Sequence, residues 1–210
     1  MFDFLFRARL WAEMPRGFFL AAVLLFVAID FAAPMLGVGQ SMLIAVRIVQ
    51  AALILALAWQ FKVFAALGLS KPEKQDVVRF AILAAVSSAI ALAALALMPA
   101  WRAEVTMPGF VAGFEGLLLM LVVAPIVEEL FFRGVLYSML RQSMAPVYSI
   151  LLTAACFALM HGALISPQLF GGVVFAVAYE WTRKLWVPMA LHSGANAAVW
   201  LLSEGNAWLS

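Results

Sequence analysis

The first residues that could do chemistry lie in Glu128-Glu129-Leu130-Phe131-Phe132-Arg133, where three charges interrupt an apolar segment. The twelve residues before this stretch, Gly116–Val127, carry no charge. An ionised side chain at bilayer depth is costly, so charges in such a run are functional candidates. Residues four apart share a helix face, which places Arg133 beside Glu129 and turns Glu128 toward another neighbour. The plainer alternative is an ordinary ion pair where a helix meets the membrane surface.

The only two histidines lie in the apolar carboxy-terminal half of the chain. His161 follows the apolar run Leu151–Met160, and Asn196 follows His192 by four residues, so that the last two share one helix face. Pro188 suits the first turn of that helix, which places His192 near the positive end of the helix dipole. One histidine in an apolar helix is usually a satisfied core residue. Two of them, with an asparagine and a glutamate pair, predict a site.

The composition predicts a membrane protein. Of 210 residues, 67% are apolar and 11% are charged, whereas a soluble domain is about half apolar and about a quarter charged. The net charge of +2, without a basic run, gives no reason to expect a nucleic-acid partner. The single cysteine, Cys156, excludes an internal disulfide and a multi-cysteine metal site. Its apolar surroundings predict a small buried residue.

Apolar runs near the ~20 residues that span a bilayer predict an all-α, polytopic transmembrane helix bundle. We expect about seven spanning helices, with eight left open: Phe18–Leu36, Met42–Phe61, Val77–Met98, Phe110–Leu140, Val147–Met160, Gln168–Thr182 and Val187–Leu202. Pro125 lacks an amide proton and predicts a bend in the fourth. Lys and Arg collect at alternate connections, which predicts a cytoplasmic amino terminus and an outer carboxy terminus. The first apolar run reads as a retained helix rather than a cleaved signal peptide.

Helix register predicts that two parts of the site meet. A turn near Gln142–Pro146 joins the fourth and fifth helices, with Glu128 about sixteen residues before its midpoint and His161 about eighteen after it. At ~1.5 Å rise per residue the two lie at nearly the same depth. His192 is only about seven residues from the boundary at Arg183. It would be shallower unless the last helix is offset or the loop before it is buried.

Two further charges, Asp30 and Arg47, lie inside the first two predicted helices. Asp30 is four residues before Pro34, and Arg47 is seven after Gln40, so both lie at similar depth on adjacent antiparallel helices. An ion pair between them would relieve both desolvation costs. We favour a structural role for this pair over a functional one.

In order, Glu128-Glu129-x-x-x-Arg133, Phe157-x-x-x-His161 and His192-x-x-x-Asn196 resemble the three-motif pattern of the CPBP family. These are the CAAX-protease and bacteriocin-processing membrane proteins, also called Abi-type intramembrane proteases. Tyr179–Pro188, before the last motif, also resembles family members, and the match covers roughly Leu117–Trp200. Each motif alone is weak, but three in this order and spacing are a strong signal. Family members often have eight spanning helices, so the count of seven leaves the topology open.

The resemblance implies an intramembrane glutamic endopeptidase without a metal or other cofactor. The implied residues form a catalytic set, Glu128, His161, His192 and Asn196, and a supporting set, Glu129, Arg133 and Phe157. The first two catalytic residues would activate a water molecule, and the other two would stabilise the oxyanion formed at a peptide carbonyl. Hydrolysis needs a base within reach of water and donors aimed at the developing charge, so the chemistry agrees. Arg133 would help keep the carboxylates ionised, and Phe157 would orient His161.

Three alternatives stay open. A metalloprotease is one, because two His and one Glu are a common zinc set, although no H-E-x-x-H helix is present. A cysteine protease using Cys156 is weaker, because His161 is five residues away and faces elsewhere. The third is a non-catalytic immunity factor, secretion partner or small transporter, in which the polar residues would form a path. Convergence of the catalytic set on one water-sized space would favour a protease.

The residue pattern, together with the resemblance, predicts the organisation of the chain. Residues 1–16 form an interfacial segment, 17–108 the amino-terminal transmembrane helices, 109–202 a catalytic transmembrane core and 203–210 a tail. The expected partners are a membrane-associated peptide or protein substrate and the lipid bilayer. A bacterial inner membrane is the expected location.

Overall fold

Seven helices make up the computed structural model over the residues it describes, 14–37, 39–97 and 113–209, and these ranges contain no strand. The helices are α1 (Arg16–Met35), α2 (Gln40–Gln60), α3 (Lys74–Leu97), α4 (residues 113–141), α5 (Pro146–Met160), α6 (Pro167–Thr182) and α7 (Trp186–Leu209). The predicted all-α bundle is confirmed. The largest difference is at the end of α7, which continues seven residues past the expected Leu202. Polar Ser203 and Glu204 end the apolar run there, but not the helix.

The amino-terminal helices have the character of membrane spans. Among the described residues, α1, α2 and α3 are long and apolar enough to cross a bilayer, and α5 is a shorter apolar helix. No residue from Val77 to Leu97 of α3 is buried within the protein. Apolar side chains that do not face protein require a lipid environment. The chain is therefore an integral membrane protein. The predicted interfacial segment falls mainly on residues 1–13, which lie outside the described ranges.

Helix α4 alternates between α-helical and π-helical backbone. Its α-helical parts are Gly113–Leu118, Ala124–Glu129 and Ser138–Arg141, and its π-helical parts are Leu119–Val123 and Leu130–Tyr137. Pro125 follows the first π segment, where its missing amide proton predicted a distortion. A second π segment begins directly after Glu129, and no sequence signal predicted it. Such insertions change which face a side chain occupies and are frequent at functional sites.

Close packing of α5 against α6 fixes the carboxy-terminal half. A Cβ atom at Gly172 would lie 3.0 Å from the Cα atom of Ala154, so a larger residue there would push the two helices apart. Small residues allow membrane helices to approach in this way and increase dispersion contacts between them. At the end of α4, Arg141 donates hydrogen bonds to both carboxylate oxygens of Glu180 at 3.2 Å, and the Tyr137 hydroxyl donates to one of them at 3.0 Å. These contacts join α4 to α6.

The connection between α6 and α7 is buried. Arg183 has a left-handed conformation at φ 56°, and Leu185 and Val187 are fully buried. The Leu185 amide donates to the Gly68 carbonyl at 3.1 Å, in the connection between α2 and α3. This buried loop is one of the two arrangements that the sequence left open for His192. It starts α7 inside the bundle rather than at its surface.

The predicted pair between Asp30 and Arg47 is present between α1 and α2. Gln50 extends it by accepting a hydrogen bond from Arg47 at 2.8 Å and donating one to the Phe26 carbonyl at 3.3 Å. The Phe26 ring in turn stacks on Phe131 of α4 at a centroid distance of 3.6 Å. The cluster joins the two amino-terminal helices, and Phe26 connects it to α4 through Phe131.

Candidate active site

Glu128, His161 and His192 come together from α4, the end of α5 and α7. The Oε2 atom of Glu128 lies 3.8 Å from Nε2 of His161 and 3.9 Å from Nε2 of His192. Both separations exceed a direct hydrogen bond, and both imidazoles face the same carboxylate oxygen. Glu128 and His161 lie at the same depth, as the register predicted. His192 joins them because the loop before α7 is buried.

Hydrogen bonds at the opposite ring atoms determine how each histidine faces Glu128. Nδ1 of His161 lies 2.8 Å from the Phe157 carbonyl, which only accepts, so this nitrogen carries a proton. Nδ1 of His192 lies 2.9 Å from Oε1 of Glu129. An ionised carboxylate also only accepts, so the same assignment holds. Both rings therefore direct Nε2 toward Glu128.

Glu129 and Arg133 form a fully buried ion pair behind the histidines. Nη1 of Arg133 donates to Oε1 of Glu129 at 2.9 Å, as their four-residue spacing predicted, and both side chains are 0% exposed. Nη2 of the same guanidinium donates to the Gly172 carbonyl of α6 at 2.9 Å. A buried pair of charges persists only when geometry and further hydrogen bonds offset desolvation. The pair holds the acceptor that orients His192.

Three phenylalanine rings surround the Arg133 guanidinium. Its Cζ atom lies 5.0, 5.4 and 5.8 Å from the ring centroids of Phe157, Phe175 and Phe132. Aromatic faces attract a cation at such distances, most strongly where water is excluded. The rings therefore stabilise the one buried positive charge next to Glu129 in the described site.

Two of these rings also fix the imidazoles. Phe157 packs on His161 with centroids 4.5 Å apart, as predicted from their spacing. Phe175 stacks on His192 at 4.8 Å with an angle of 18°. The sequence did not single out Phe175 among seventeen phenylalanines. The adjacent Gly171-Gly172 pair was the available signal, because small residues mark where α6 approaches its neighbours.

Asn196 lies one turn beyond His192 on the same face of α7. Its Nδ2 atom donates to the Met120 carbonyl at 2.8 Å, within the first π segment of α4. This contact accounts for one of its two amide hydrogens. Asn196 therefore connects α7 to the distorted part of α4.

Exposure differs between the two histidines. The side chain of His161 is 34% exposed, that of Glu128 is 15% exposed and that of His192 is 6% exposed. A substrate would reach the site from the side of His161. Among the described residues, no group of three or more His, Cys, Asp or Glu side chains has an arrangement suited to a metal ion.

The prediction that Cys156 is buried is wrong. Its side chain is exposed on the surface of α5, whereas its neighbour Phe157 is buried. Apolar surroundings in the sequence of a membrane helix indicate lipid as readily as a protein core, because lipid tails are as apolar as leucine.

Comparisons with known proteins concern this carboxy-terminal region. Residues 111–198 match the family model described as type II CAAX prenyl endopeptidase Rce1-like. The membrane-embedded CAAX protease MroQ of Staphylococcus aureus is 33% identical over 86 residues, which cover 37% of this chain and 35% of that protein. YdiL of Bacillus subtilis, a proposed membrane peptidase, is 30% identical over 80 residues, covering 37% and 33%. The chain thus spans about a third of the length of these relatives.

No solved structure gives a significant match. The region matched by the family model contains all three motifs and every residue of the predicted catalytic set. The resemblance to CAAX proteases is thereby confirmed for residues 111–198, the part of the chain that matches the Rce1-like model of type II CAAX prenyl endopeptidases.

Proposed function

We propose that the protein is an intramembrane endopeptidase of the CAAX-protease type, which hydrolyses a peptide bond in a membrane-associated peptide or protein. One observation carries the proposal: Nε2 atoms of two histidines face a single oxygen of Glu128 at 3.8 and 3.9 Å. A water molecule hydrogen-bonded to that oxygen would lie within reach of both rings, which is the geometry that general-base catalysis needs. The two relatives, described as a protease and a proposed peptidase, support the same reaction class.

Glu128 acts as the base in this proposal. Its carboxylate takes a proton from the water as the water oxygen bonds to the peptide carbonyl carbon. His161, whose Nδ1–H is held by the Phe157 carbonyl, presents a free lone pair at Nε2 and orients the water through its second hydrogen. The proton on Glu128 then passes to the leaving amine nitrogen as the carbon–nitrogen bond breaks.

His192 and Asn196 stabilise the oxyanion. Because Nδ1 of His192 already donates to Glu129, Nε2 donates only when the ring is an imidazolium. A neutral ring would instead make Nε2 a second acceptor beside Glu128. His192→Gln distinguishes these roles, since a glutamine amide donates without a charge. It should retain more activity than His192→Ala if His192 is a donor.

The non-catalytic alternative requires the same polar residues to form a path across the membrane. The Nε2 atoms of His161 and His192 instead each lie within 4 Å of the same carboxylate oxygen of Glu128. This convergence supports hydrolysis over transport.

A metal-dependent variant makes a separate prediction: chelators would abolish cleavage, and zinc would restore it. The metal-free mechanism predicts cleavage that is insensitive to chelators.

The experiment that tests the proposal is complementation of a deletion strain with wild type, Glu128→Gln and Glu115→Gln. Glu115 is the matched control, because it lies on α4 outside the site, where its carboxylate accepts a hydrogen bond from Ser41 at 2.7 Å. Membrane abundance of each variant is measured alongside proteomics for uncleaved membrane proteins. A precursor that accumulates only with Glu128→Gln supports the protease and identifies its substrate. Full restoration by Glu128→Gln would refute Glu128 as the base.

We further propose a bacterial inner-membrane location with the amino terminus in the cytoplasm and the catalytic core at residues 109–202. The supporting contact is that of Lys184 with the main-chain carbonyl of Lys71 at 2.9 Å, which brings two basic connections to the same end of the bundle. Lys and Arg mark the cytoplasmic side. Reporter fusions in the α2–α3 and α6–α7 connections should both report the cytoplasm, and a periplasmic signal from either would contradict this orientation.

A further inference from the structure

A long apolar groove lies between α3 and the helices α6 and α7. Its volume is about 500 Å³, and its walls are almost entirely apolar. The lining side chains lie between positions 80 and 95 of α3, 167 and 175 of α6, and 190 and 202 of α7. The volume is in the range of small-molecule sites, roughly 300–1,000 Å³.

At one end of the groove, the start of α3 contacts the start of α7. There Lys184 donates to Glu73 at 3.3 Å, and the Phe80 ring lies 5.7 Å from that of Trp186. Beyond this contact many of the residues that line the groove are small: Ala84, Ser87, Ser88 and Ala91 on α3, and Gly194, Ala195 and Ala198 on α7. An added Cβ at Gly194 would meet no atom within 4 Å. The Ser87 hydroxyl donates a hydrogen bond to the Ala84 carbonyl of its own helix, so it does not need a polar partner in the groove.

The dimensions of the groove indicate its occupant. Fifteen residues of α3 extend ~22 Å, so a volume of about 500 Å³ gives a mean cross-section of roughly 22 Å². A helix with side chains, about 10–12 Å wide, needs roughly 80–110 Å². Carbon–carbon contacts of about 3.5–4.0 Å give a single hydrocarbon chain a cross-section of roughly 15–20 Å². The groove therefore has room for one extended hydrocarbon chain.

Charge at one end of the groove indicates what the chain is attached to. The residues next to Phe80, at positions 71–79 and 183–184, include five basic side chains and two acidic ones. The basic residues are Lys71, Lys74, Arg79, Arg183 and Lys184. Basic segments next to a membrane attract anionic lipid headgroups. We propose that the groove binds one acyl chain of an anionic membrane phospholipid, with the headgroup at this basic end.

The bound chain would act on the catalytic site through Phe175. This residue lines the groove and also stacks on His192 at 4.8 Å. An acyl chain packed against Phe175 supports the ring that fixes the imidazole. Lipid composition would thus regulate cleavage, a consequence that rests on the proposed protease function, whereas lipid binding itself does not.

The experiment uses the full chain in nanodiscs that contain a photoactivatable phosphatidylglycerol, with a diazirine in its acyl chain, and mass spectrometry to map the cross-links. Ala91→Phe fills the groove, and Ile90→Phe is the matched control, because Ile90 is on the same helix, half exposed and outside the lining. We expect labels on the lining residues of α6 and α7, and a roughly tenfold loss in Ala91→Phe, since a phenyl ring occupies the space of several methylenes. Ile90→Phe should label like wild type. Phosphatidylcholine carrying the same chain should label more weakly.

Several outcomes would overturn the proposal. Equal labelling of all lipid-facing positions of α3, unchanged by Ala91→Phe, would show ordinary surrounding lipid. Equal labelling by the two phospholipids would show that the basic residues at the end of the groove do not select an anionic headgroup, which contradicts the proposal. Displacement of the label by a substrate peptide or by its attached lipid would assign the groove to the substrate. Because labelling needs no proteolysis, an inactive protein that still labels specifically would refute the proposed function and leave this inference standing. An active protein that shows no specific labelling would refute this inference and leave the proposed function standing.

Discussion

Two polar clusters, one in each half of the bundle, can be compared directly: each contains an arginine–carboxylate pair between or within membrane helices, but the two clusters contact different groups. In the amino-terminal half, Arg47 and Asp30 are 20% and 9% exposed, and Gln50 closes the cluster onto a main-chain carbonyl. In the carboxy-terminal half, Arg133 and Glu129 are fully buried. There, Oε1 of Glu129 accepts from both the guanidinium and His192.

The difference shows that a charge inside the bilayer does not by itself indicate catalysis. The amino-terminal cluster ends on amide and carbonyl groups that do not titrate. The carboxy-terminal cluster continues from Arg133 through Glu129 to His192, and His192 faces Glu128 and the partly exposed His161. A buried ion pair becomes part of a candidate site when it orients a group that can exchange protons with an accessible substrate.

The largest expected difference between the clusters is in activity. His161→Ala should lower the cleavage rate by roughly 10²–10⁴-fold, because it removes a group that positions the attacking water. Asp30→Asn, in the other cluster, should leave the rate near that of wild type. Single-turnover cleavage by purified protein measures both, once equal membrane abundance has been established. A comparable loss in Asp30→Asn would place the amino-terminal cluster in the mechanism.

The next difference is in stability. Arg133→Ala leaves Glu129 buried without its partner and should destabilise the fold by about 3–5 kcal/mol. Arg47→Ala should cost about 1–2 kcal/mol, because its pair is partly exposed and only hydrogen bonds are lost. Thermal unfolding in detergent compares the two variants. Arg133→Lys is the control that keeps the charge but not the planar fork that reaches both Glu129 and Gly172. Equal destabilisation by the two alanine variants would contradict the comparison.

Each half of the bundle also contains a buried or part-buried amide side chain that donates to a main-chain carbonyl, and these two amides can be compared. Asn196 donates to Met120 at 2.8 Å and Gln50 to Phe26 at 3.3 Å. Either alanine variant should lose about 1 kcal/mol of stability with its hydrogen bond. Only Asn196→Ala should also lower kcat, by roughly 10²–10³-fold with little change in KM, as expected for an oxyanion donor. An unchanged kcat in Asn196→Ala would reduce its role to packing.

A contact between the two halves gives a smaller effect. Gly68 has φ +76°, and a Cβ atom there would lie 2.7 Å from the Arg183 carbonyl oxygen. Gly68→Ala should therefore cost about 1–3 kcal/mol and should disturb the loop that positions α7. Gly37→Ala is the control, since its φ is +59° with no atom within 4 Å, so it carries backbone strain alone. Equal losses would show that the contact with Arg183 contributes nothing.

Helical periodicity and apolar runs were sufficient for much of this description. They predicted seven helices, both ion pairs and the common depth of Glu128 and His161, because these features depend on spacing within one helix or across one short turn. The depth of His192 depends instead on whether a loop is buried, and that is decided by the contact of Leu185 with Gly68, more than a hundred residues away.

Other features of the site depend on properties that helical periodicity and hydropathy do not describe. The π segments of α4 change the rotation per residue, which periodicity treats as constant. Phe175 acquires its role from the rotation of α6 about its own axis, and an apolar sequence allows many rotations. The Gly172 carbonyl became the second acceptor for Arg133 for the same reason. Cys156 was misplaced because a lipid-facing and a core-facing residue have the same neighbours in sequence.

The smallest expected effect is that of a substitution at Cys156. Cys156→Ala should change neither cleavage nor unfolding temperature, because the thiol lies on the exposed side of α5. Ala154→Leu, two residues earlier, is the opposite case: the alanine is fully buried and its Cα atom lies 3.0 Å from the position of a Cβ on Gly172. Overpacking there should cost about 1–3 kcal/mol and separate α5 from α6. Since α6 supplies both Phe175 and the Gly172 carbonyl, cleavage should fall as well. Loss of cleavage in Cys156→Ala would give the thiol a part in the reaction and would count against the roles assigned to Glu128 and His161.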